Sequence, residues 1–274
     1  MSSNNVASNA PKLDLEEDDI NQILFFSAVG GLCPLIPVPC LDAIFLKVVR
    51  RLMAAAQLRQ LGLQPTLTQT STLAREPSVT AQECAMKVAW VASCCCTVEF
   101  LLKKVCFFLT IKECVDNASE LLHEGWLIAY ATKAGFVTQQ TLADKVEVWR
   151  VSEAICKTMS DADTTIVKQA IKQVFGNHKT DMTSTANTVN GALRLQGVGG
   201  GCISSGANDD NVREALTNVE HENRGELRAI TSKLAEVLKS QKPYFGKLEE
   251  AFVTNLGRLR DMNTQGPTCS LLPF

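Results

Sequence analysis

The feature that most constrains this chain is a stretch of 22 residues, 20–41, without a single charged side chain. About 20 apolar residues are enough for a helix to cross the hydrocarbon core of a bilayer. Residues that break helices interrupt the stretch at Gly30, Gly31, Pro34, Pro37 and Pro39. Proline removes a helix hydrogen bond and fixes φ, so one straight helix is excluded. The sequence instead predicts two shorter apolar segments, 20–32 and 40–61, joined by a proline-containing turn.

The second segment is predicted to be an amphipathic helix. Its apolar residues recur at spacings of three and four, at Leu41, Ile44, Phe45, Val48, Val49, Leu52 and Met53. Bases are assigned to the other face, at Lys47, Arg50, Arg51 and Arg59. Asp42 is expected to cap the start of this helix, and Gly62 is expected to end it.

Two interpretations of this helical pair are open. In the first, it contacts a membrane, because bases near anionic headgroups each contribute about 1 kcal/mol. The candidate contacts are Phe25, Phe26, Leu32, Ile36, Phe45, Lys47, Arg50, Arg51, Lys103 and Lys104. In the second, the pair is a buried hairpin at the centre of a helical bundle.

Composition narrows the class of protein. The chain has 274 residues, of which 46% are hydrophobic and 20% charged, and its formal charge is −2. High apolar content argues against a disordered chain, and the lack of a basic excess argues against nucleic-acid binding. The charge is segmental, since residues 1–19 sum to −4 and residues 20–62 to +3. An acidic, flexible tail is therefore expected before a basic hairpin.

The rest of the chain reads as amphipathic helices, so the predicted class is all-α, a helical bundle built on the hairpin. The predicted division is a tail 1–19, a helical domain 20–176, a flexible linker 177–211, a C-terminal helical pair 212–262 and a tail 263–274. Thr80, with a Glu three residues later, forms a capping box that begins a further helix. Gly125 is expected to kink the long helix 99–134, and Gly135 to end it.

Eleven cysteines are present, and three are contiguous in an apolar run, Cys94, Cys95 and Cys96. An odd count, and a polar start without a signal-peptide pattern, favour reduced thiols and a protein that is not secreted. The three neighbouring cysteines are either core residues or, beside Lys87, Lys103 and Lys104, sites of S-acylation.

No catalytic, cofactor-binding or metal-binding residues are predicted. The glycines of 197–201 lack the spacing of a dinucleotide fingerprint, and no phosphate-loop pattern occurs, so no nucleotide is expected. His123-Glu124 begins like a zinc-protease helix, but Leu127 stands where the second His belongs. An enzyme or a carrier of hydrophobic ligands would need a pocket that brings His123 together with a Cys and a carboxylate.

The run Ile36-Pro-Val-Pro-Cys-Leu-Asp42, followed by an apolar helix that ends at Gly62, resembles a known family. This is the membrane-associated helical domain of unknown function that follows the GTPase domain in some bacterial Era-like GTPases and also stands alone. The resemblance covers about residues 22–135, and Glu120 to Gly135 would belong to its second half. In the family pattern the Asp stands two residues after the second Pro, whereas here Asp42 stands three residues after Pro39. The resemblance implies membrane association and carries no catalytic residues.

These patterns together favour a membrane-associated helical protein that acts as a tether, scaffold or regulator at the cytoplasmic face of a membrane, or in the cytoplasm. Membrane lipids, and a protein partner docked on the C-terminal helices, are the expected partners. One alternative is a helical bundle that binds proteins with every apolar segment buried. The second is the small enzyme or hydrophobic-ligand carrier.

Overall fold

A computed structural model describes residues 15–36, 41–74, 99–195 and 209–262. These ranges contain eleven α-helices, one 3-10 turn (Cys33–Leu35) and no strand, which confirms the all-α class. The helices are α1 (Glu17–Gly31), α2 (Leu41–Gln60), α3 (Leu67–Leu73), α4 (Glu99–Lys133), α5 (Gln139–Ala143), α6 (Lys145–Asp161), α7 (Thr165–Asn177), α8 (Lys179–Leu195), α9 (Asp209–Glu222), α10 (Arg224–Lys239) and α11 (Lys242–Met262).

The 35-residue helix α4 is the centre of the fold. It packs against α1, α2, α6, α7 and α11, and α1 makes the most extensive of these contacts. Ile23 and Leu24 of α1 and Ala118 of α4 are buried there. Helices α1 and α2 also pack against each other, so the apolar pair of the sequence covers its apolar faces with itself and with α4.

Two glycines let these helices approach closely. A Cβ on Gly31 would lie 2.9 Å from the ring of Phe175 and 3.0 Å from the Cβ of Ala118. A Cβ on Gly125 would lie 2.9 Å from the sulfur of Met53 and 3.0 Å from Ile23. Gly125, expected from the sequence to kink α4, therefore makes room for α1 and α2.

Two other glycines end helices as the sequence predicts. Gly62 has φ 80° and Gly135 has φ 78°, a left-handed conformation that glycine adopts without strain. After α2, the N–H of Gly62 donates to the carbonyl of Arg59, and that of Leu63 to the carbonyl of Leu58. The same pair of bonds follows α4, so both ends are Schellman motifs.

Three boundaries differ from the predictions: the start of α1, the start of α8 and the division of residues 139–158. Helix α1 already begins at Glu17, within the predicted acidic tail, because Asp19 is buried and pairs with Lys133 at 2.6 Å. Helix α8 occupies much of the predicted linker 177–211, in which the sequence indicates no more than a short helix near 185–195. Its buried stripe is Met182, Ala186, Val189 and Leu193, whose helical spacing was obscured by the surrounding Thr and Asn residues.

Residues 139–158 are among the stretches whose amphipathic pattern predicts one helix, and the structure divides them into α5 and α6 at Asp144. The carboxylate of Asp144 accepts hydrogen bonds from the N–H groups of Val146 and Glu147, and so caps α6. Asp42, which the sequence predicts as the cap of α2, is the second residue of that helix, because α2 begins at Leu41. Its side chain is not described.

Several residues predicted to contact a membrane lie inside the protein. Leu32, Ile36 and Phe45 are buried in the apolar core, and Arg50 is buried in an ion-pair cluster. The expectation that these four contact lipid is therefore corrected. Phe25, Phe26, Lys47 and Arg51 are half-buried. Lys103 and Lys104 lie on α4, but their side chains are outside the described part of the structure. Thr80, Cys94, Cys95 and Cys96 lie wholly outside the described residues.

Of the helices that the structure describes, none combines the length and the apolar character needed to cross a bilayer. The apolar stripes of the C-terminal helices α10 and α11 are also turned inward, at residues such as Leu234 and Phe252. Docking of a partner on these helices stays a prediction, and it would use their polar faces.

The close approach at Gly31 generates a stability prediction. Gly31→Ala places a methyl group against the ring of Phe175 and the Cβ of Ala118, which belong to two other helices and cannot both retreat. We expect a loss of roughly 1–3 kcal/mol in the free energy of unfolding, measured by urea denaturation.

Gly191→Ala is the matched control, because a Cβ there meets nothing within 4 Å on the exposed face of α8. Alanine in an open helical position is expected to stabilise by up to about 1 kcal/mol. Effects of the same sign at both positions would contradict the close packing of α1.

Candidate functional site

One face of α4 is polar although it points into the protein. The residues recur at intervals of three and four, so they share a face: Asp116, Ser119, Glu120, His123 and Glu124. Ser119, His123 and Glu124 are buried. Buried polar groups are costly unless they are paired, and each of these groups has a partner from elsewhere in the fold or on α4.

Arg50 of α2 is the charge at the centre of this face. Its Nη2 lies 2.7 Å from Glu120 Oε2, and its Nη1 lies 3.2 Å from Glu124 Oε2. The Arg50 side chain is 7% exposed, that of Glu124 is 4% exposed and that of Glu120 is 47% exposed. Although burial opposes its charge, the two carboxylates raise the pKa of Arg50, so the guanidinium stays ionised.

Glu124 is the most perturbed acid of the cluster. Burial raises its pKa to about 8; the nearby guanidinium of Arg50 opposes this shift, and the carboxylate of Glu120 adds to it. At neutral pH the acid therefore holds its proton for much of the time, and Arg50 is balanced mainly by Glu120.

His123 is held as a neutral ring. Its Nδ1 is 2.5 Å from the carbonyl of Ser119, which can only accept, so Nδ1 carries the proton. Its Nε2 is 2.6 Å from the Tyr244 hydroxyl and therefore accepts from that O–H. Burial lowers the pKa of His123, and the Ser119 hydrogen bond opposes this shift.

The hydrogen bond between His123 and Tyr244 ties α4 to α11, and aromatic packing strengthens this contact. Trp126 stacks on Phe245 with ring centroids 4.0 Å apart, and its indole N–H donates to Glu249 Oε1 at 2.8 Å. Burial raises the pKa of Tyr244 to about 12, so the hydroxyl keeps its proton and remains a donor.

A cavity of about 380 Å³ opens beside the polar face of α4. Helix α6 forms the facing wall with Ser152, Ile155, Cys156, Met159 and Ser160. The remaining lining residues come from α2, the end of α3 and the start of α7, and are Arg50, Leu73, Ala74, Thr164 and Lys168. We call this cavity the charged pocket.

The charged pocket gathers the groups that the sequence required of a ligand site. His123, the half-buried thiol of Cys156 and the carboxylates of Glu120 and Glu124 line one space. Lys168 of α7 adds a second base and pairs with Asp116 at 2.7 Å. Cys114 is outside the lining, and burial raises its pKa to about 12, so that thiol is inert.

Of the lining residues, the sequence points to Arg50 as a base of α2 and to His123 and Glu124 as an incomplete zinc-protease motif, and it does not indicate that the others join them. The available signal was the run Asp116, Glu120 and Glu124, whose spacing of four places three acidic side chains on one face of α4. Its partners lie far away in the chain, since Arg50 and Glu124 are 74 residues apart.

A second, shallower site lies on the other side of α2. Phe25 and Phe26 of α1, in edge contact with centroids 5.4 Å apart, border a groove of about 160 Å³. Arg59 of α2 and Arg213 of α9 also line it, with Leu52, Ala56, Leu216 and Thr217. No carboxylate is among these lining residues.

Within the described ranges, no three His, Cys, Asp or Glu side chains are placed to hold a metal ion together. Comparison with known proteins adds no constraint, because no family model, curated protein or solved structure matches the chain. The resemblance of residues 22–135 to the Era-associated helical domain stays a prediction.

The raised pKa of Glu124 generates a pH prediction. The folded protein keeps this proton up to about pH 8, whereas an unfolded chain releases it near 4.5. Folding therefore binds a proton above pH 4.5, and the free energy of unfolding falls as pH rises towards 8. The slope from this group is on the order of 1 kcal/mol per pH unit. Burial lowers the pKa of His123, so this residue acts in the opposite direction around pH 6.5; because it is present in both proteins, its effect cancels when Glu124→Gln is compared with the native protein.

In Glu124→Gln the neutral amide replaces the protonated acid and still accepts from Arg50. We expect the free energy of unfolding to depend less steeply on pH between 6.5 and 8, by on the order of 1 kcal/mol per pH unit. The measurement is urea denaturation at several pH values. Glu113→Gln, an exposed site on α4, should leave the slope as it is. An unchanged slope in Glu124→Gln would show that Glu124 titrates normally.

Proposed function

We propose that this protein is a helical ligand-binding module whose charged pocket takes up a small organic molecule. The observation that carries this proposal is the convergence of His123, Cys156, Glu120 and Glu124 on one cavity. A binding or carrier role rests on that convergence alone, whereas catalysis would also need a substrate atom held against one of these groups.

The size and lining of the charged pocket support this proposal. Its volume of about 380 Å³ lies within the range of pockets that hold small ligands. Most of the lining residues are polar or charged, and apolar side chains such as Ile155 and Met159 share the wall with them, so the pocket suits a ligand that has both a polar group and a hydrocarbon part. The polar groups are fixed in place by the Arg50 ion pairs and by the His123–Tyr244 hydrogen bond.

Thermal stability measures occupancy of the charged pocket. A ligand at a hundred times its Kd adds about 2.7 kcal/mol to the free energy of unfolding. For a chain of this size that raises Tm by about 5 to 10 °C. We expect a screen of small polar metabolite-like compounds to find ligands that produce such a shift.

Ser160→Trp decides whether the shift comes from the charged pocket. Ser160 is exposed at the pocket wall, so an indole there fills the cavity without entering the core. Ser184→Trp on the exposed face of α8 is the matched control. The ligand-induced shift should vanish in the first variant and persist in the second. Equal shifts in both, or no ligand for the native protein, would refute the proposal.

A second candidate is apposition to an anionic membrane surface, the function that the sequence favours. The groove beside α2 supports it, because Arg59 and Arg213 stand next to the aromatic pair Phe25 and Phe26 with no carboxylate in the lining. Aromatic rings and bases together are typical of membrane-interface contacts. A tether or scaffold role would follow from attachment at this groove.

Vesicle binding by point variants tests this second candidate. Point variants are used because a deletion of residues 20–61 would remove helices of the core. In Arg59→Gln/Arg213→Gln, two bases are lost, each worth about 1 kcal/mol at an anionic surface. We expect roughly 30-fold weaker partitioning onto phosphatidylcholine vesicles that contain phosphatidylglycerol, measured by co-sedimentation.

The control Arg228→Gln/Arg258→Gln changes the net charge equally at exposed positions of α10 and α11. It should retain most of the binding. A loss of the same size in both double variants would indicate a general charge effect and not the groove, and failure of the native protein to bind such vesicles would exclude this function.

A further inference from the structure

The bases that line the charged pocket are already engaged by carboxylates. Arg50 contacts Glu120 at 2.7 Å and Glu124 at 3.2 Å, and Lys168 contacts Asp116 at 2.7 Å. Of these two bases Arg50 is buried, with a side chain 7% exposed, so a ligand can reach Lys168, whose side chain is 41% exposed. A ligand whose recognised group is a carboxylate or a phosphate therefore finds one accessible base, and the carboxylates beside it repel such a ligand.

The carboxylates, in contrast, retain capacity to accept hydrogen bonds. The Asp116 side chain is 40% exposed and that of Glu120 is 47% exposed. Their ion pairs use Asp116 Oδ1 and Glu120 Oε2, so each keeps a second oxygen. Because the two residues are four apart on α4, their side chains are neighbours on one face. A cation that enters the charged pocket meets two carboxylates at once.

The rest of the lining fits a cation on an organic body. Hydroxyl groups of Ser160 and Thr164 offer further acceptors, while Ile155 and Met159 provide an apolar wall. An ammonium group has three N–H donors, enough to reach both carboxylates and one hydroxyl. A bare metal ion is not the fit, since no metal-binding group of three ligands is present among the described side chains.

We propose that the charged pocket binds organic amines in their protonated form, with the ammonium group on Asp116 and Glu120 and the hydrocarbon part against Ile155 and Met159. This inference rests on the proposed ligand-binding function and specifies the class of ligand. It follows from which charged groups a ligand can reach: the carboxylates of Asp116 and Glu120 and the one base Lys168 are about half-exposed in the lining, whereas Arg50 is buried.

A matched series of three probes tests the charge preference. The probes are 2-phenylethylamine, 2-phenylethanol and phenylacetate, which share one ring and differ in the charge of the terminal group. Their binding to the full chain is measured by isothermal titration calorimetry at pH 7. We expect the amine to bind at least tenfold more tightly than the alcohol, and phenylacetate to bind most weakly.

Asp116→Asn tests the position of the ammonium group. Asp116 lies in a half-exposed ion pair, so its replacement spares the core. We expect amine binding to weaken at least fivefold and binding of the alcohol to change less than twofold. Glu113→Gln, which removes one charge from the same helix outside the lining, should leave amine binding within twofold.

The outcomes separate this inference from the function on which it rests. If phenylacetate or the alcohol binds as tightly as the amine, and Ser160→Trp abolishes that binding, the charged pocket is a ligand site and the amine class is wrong. If Asp116→Asn and Glu113→Gln weaken the amine equally, binding reflects net charge and the assignment fails. If none of the three binds, the amine class is likewise refuted, while the wider screen with Ser160→Trp decides the function itself.

Discussion

The burial of Arg50 against two carboxylates of α4 is the constraint on which the arrangement of α2 depends. A guanidinium taken out of water costs several kcal/mol unless it is paired with good geometry. Glu120 at 2.7 Å provides the balancing charge, and Glu124 at 3.2 Å accepts a second hydrogen bond from the guanidinium. Apolar packing alone tolerates sliding between helices, whereas this contact fixes one register of α2 along α4. The same contact leaves Glu120 half-exposed, so the wall of the charged pocket is a by-product of how the two helices are joined.

Helix α4 combines two opposite demands. One face packs closely against α1, where Gly31 allows the backbone of α1 to approach Ala118. The other face carries the polar groups from Asp116 to Glu124, of which Glu124 is paired with Arg50 of α2 and His123 with Tyr244 of α11. A long helix that is apolar on one side and internally polar on the other has to be surrounded by helices, which is why α1, α2, α6, α7 and α11 all meet on it.

Local features of this fold were predictable from the sequence, and the site was not. Gly62 and Gly135 end helices because glycine adopts positive φ without strain, a property of single residues. The break between α1 and α2 follows in the same way from prolines. The charged pocket depends on pairs such as His123 and Tyr244, which are 121 residues apart. An amphipathic pattern shows which residues share a face of a helix; it does not show what that face meets. Arg50 was therefore assigned to lipid, although it lies in the protein interior.

The bases of α2 illustrate this limit further. The sequence groups Lys47, Arg50, Arg51 and Arg59 as one stripe, but successive residues of an α-helix are rotated by about 100°. Arg50 and Arg59, nine positions apart, therefore point in opposite directions from the helix axis. Arg50 faces α4 and lines the charged pocket, whereas Arg59 lines the groove with Phe25 and Phe26. Helix α2 stands between the two sites, and the ion pairs that lock its register on α4 also set the position of the groove on its far side.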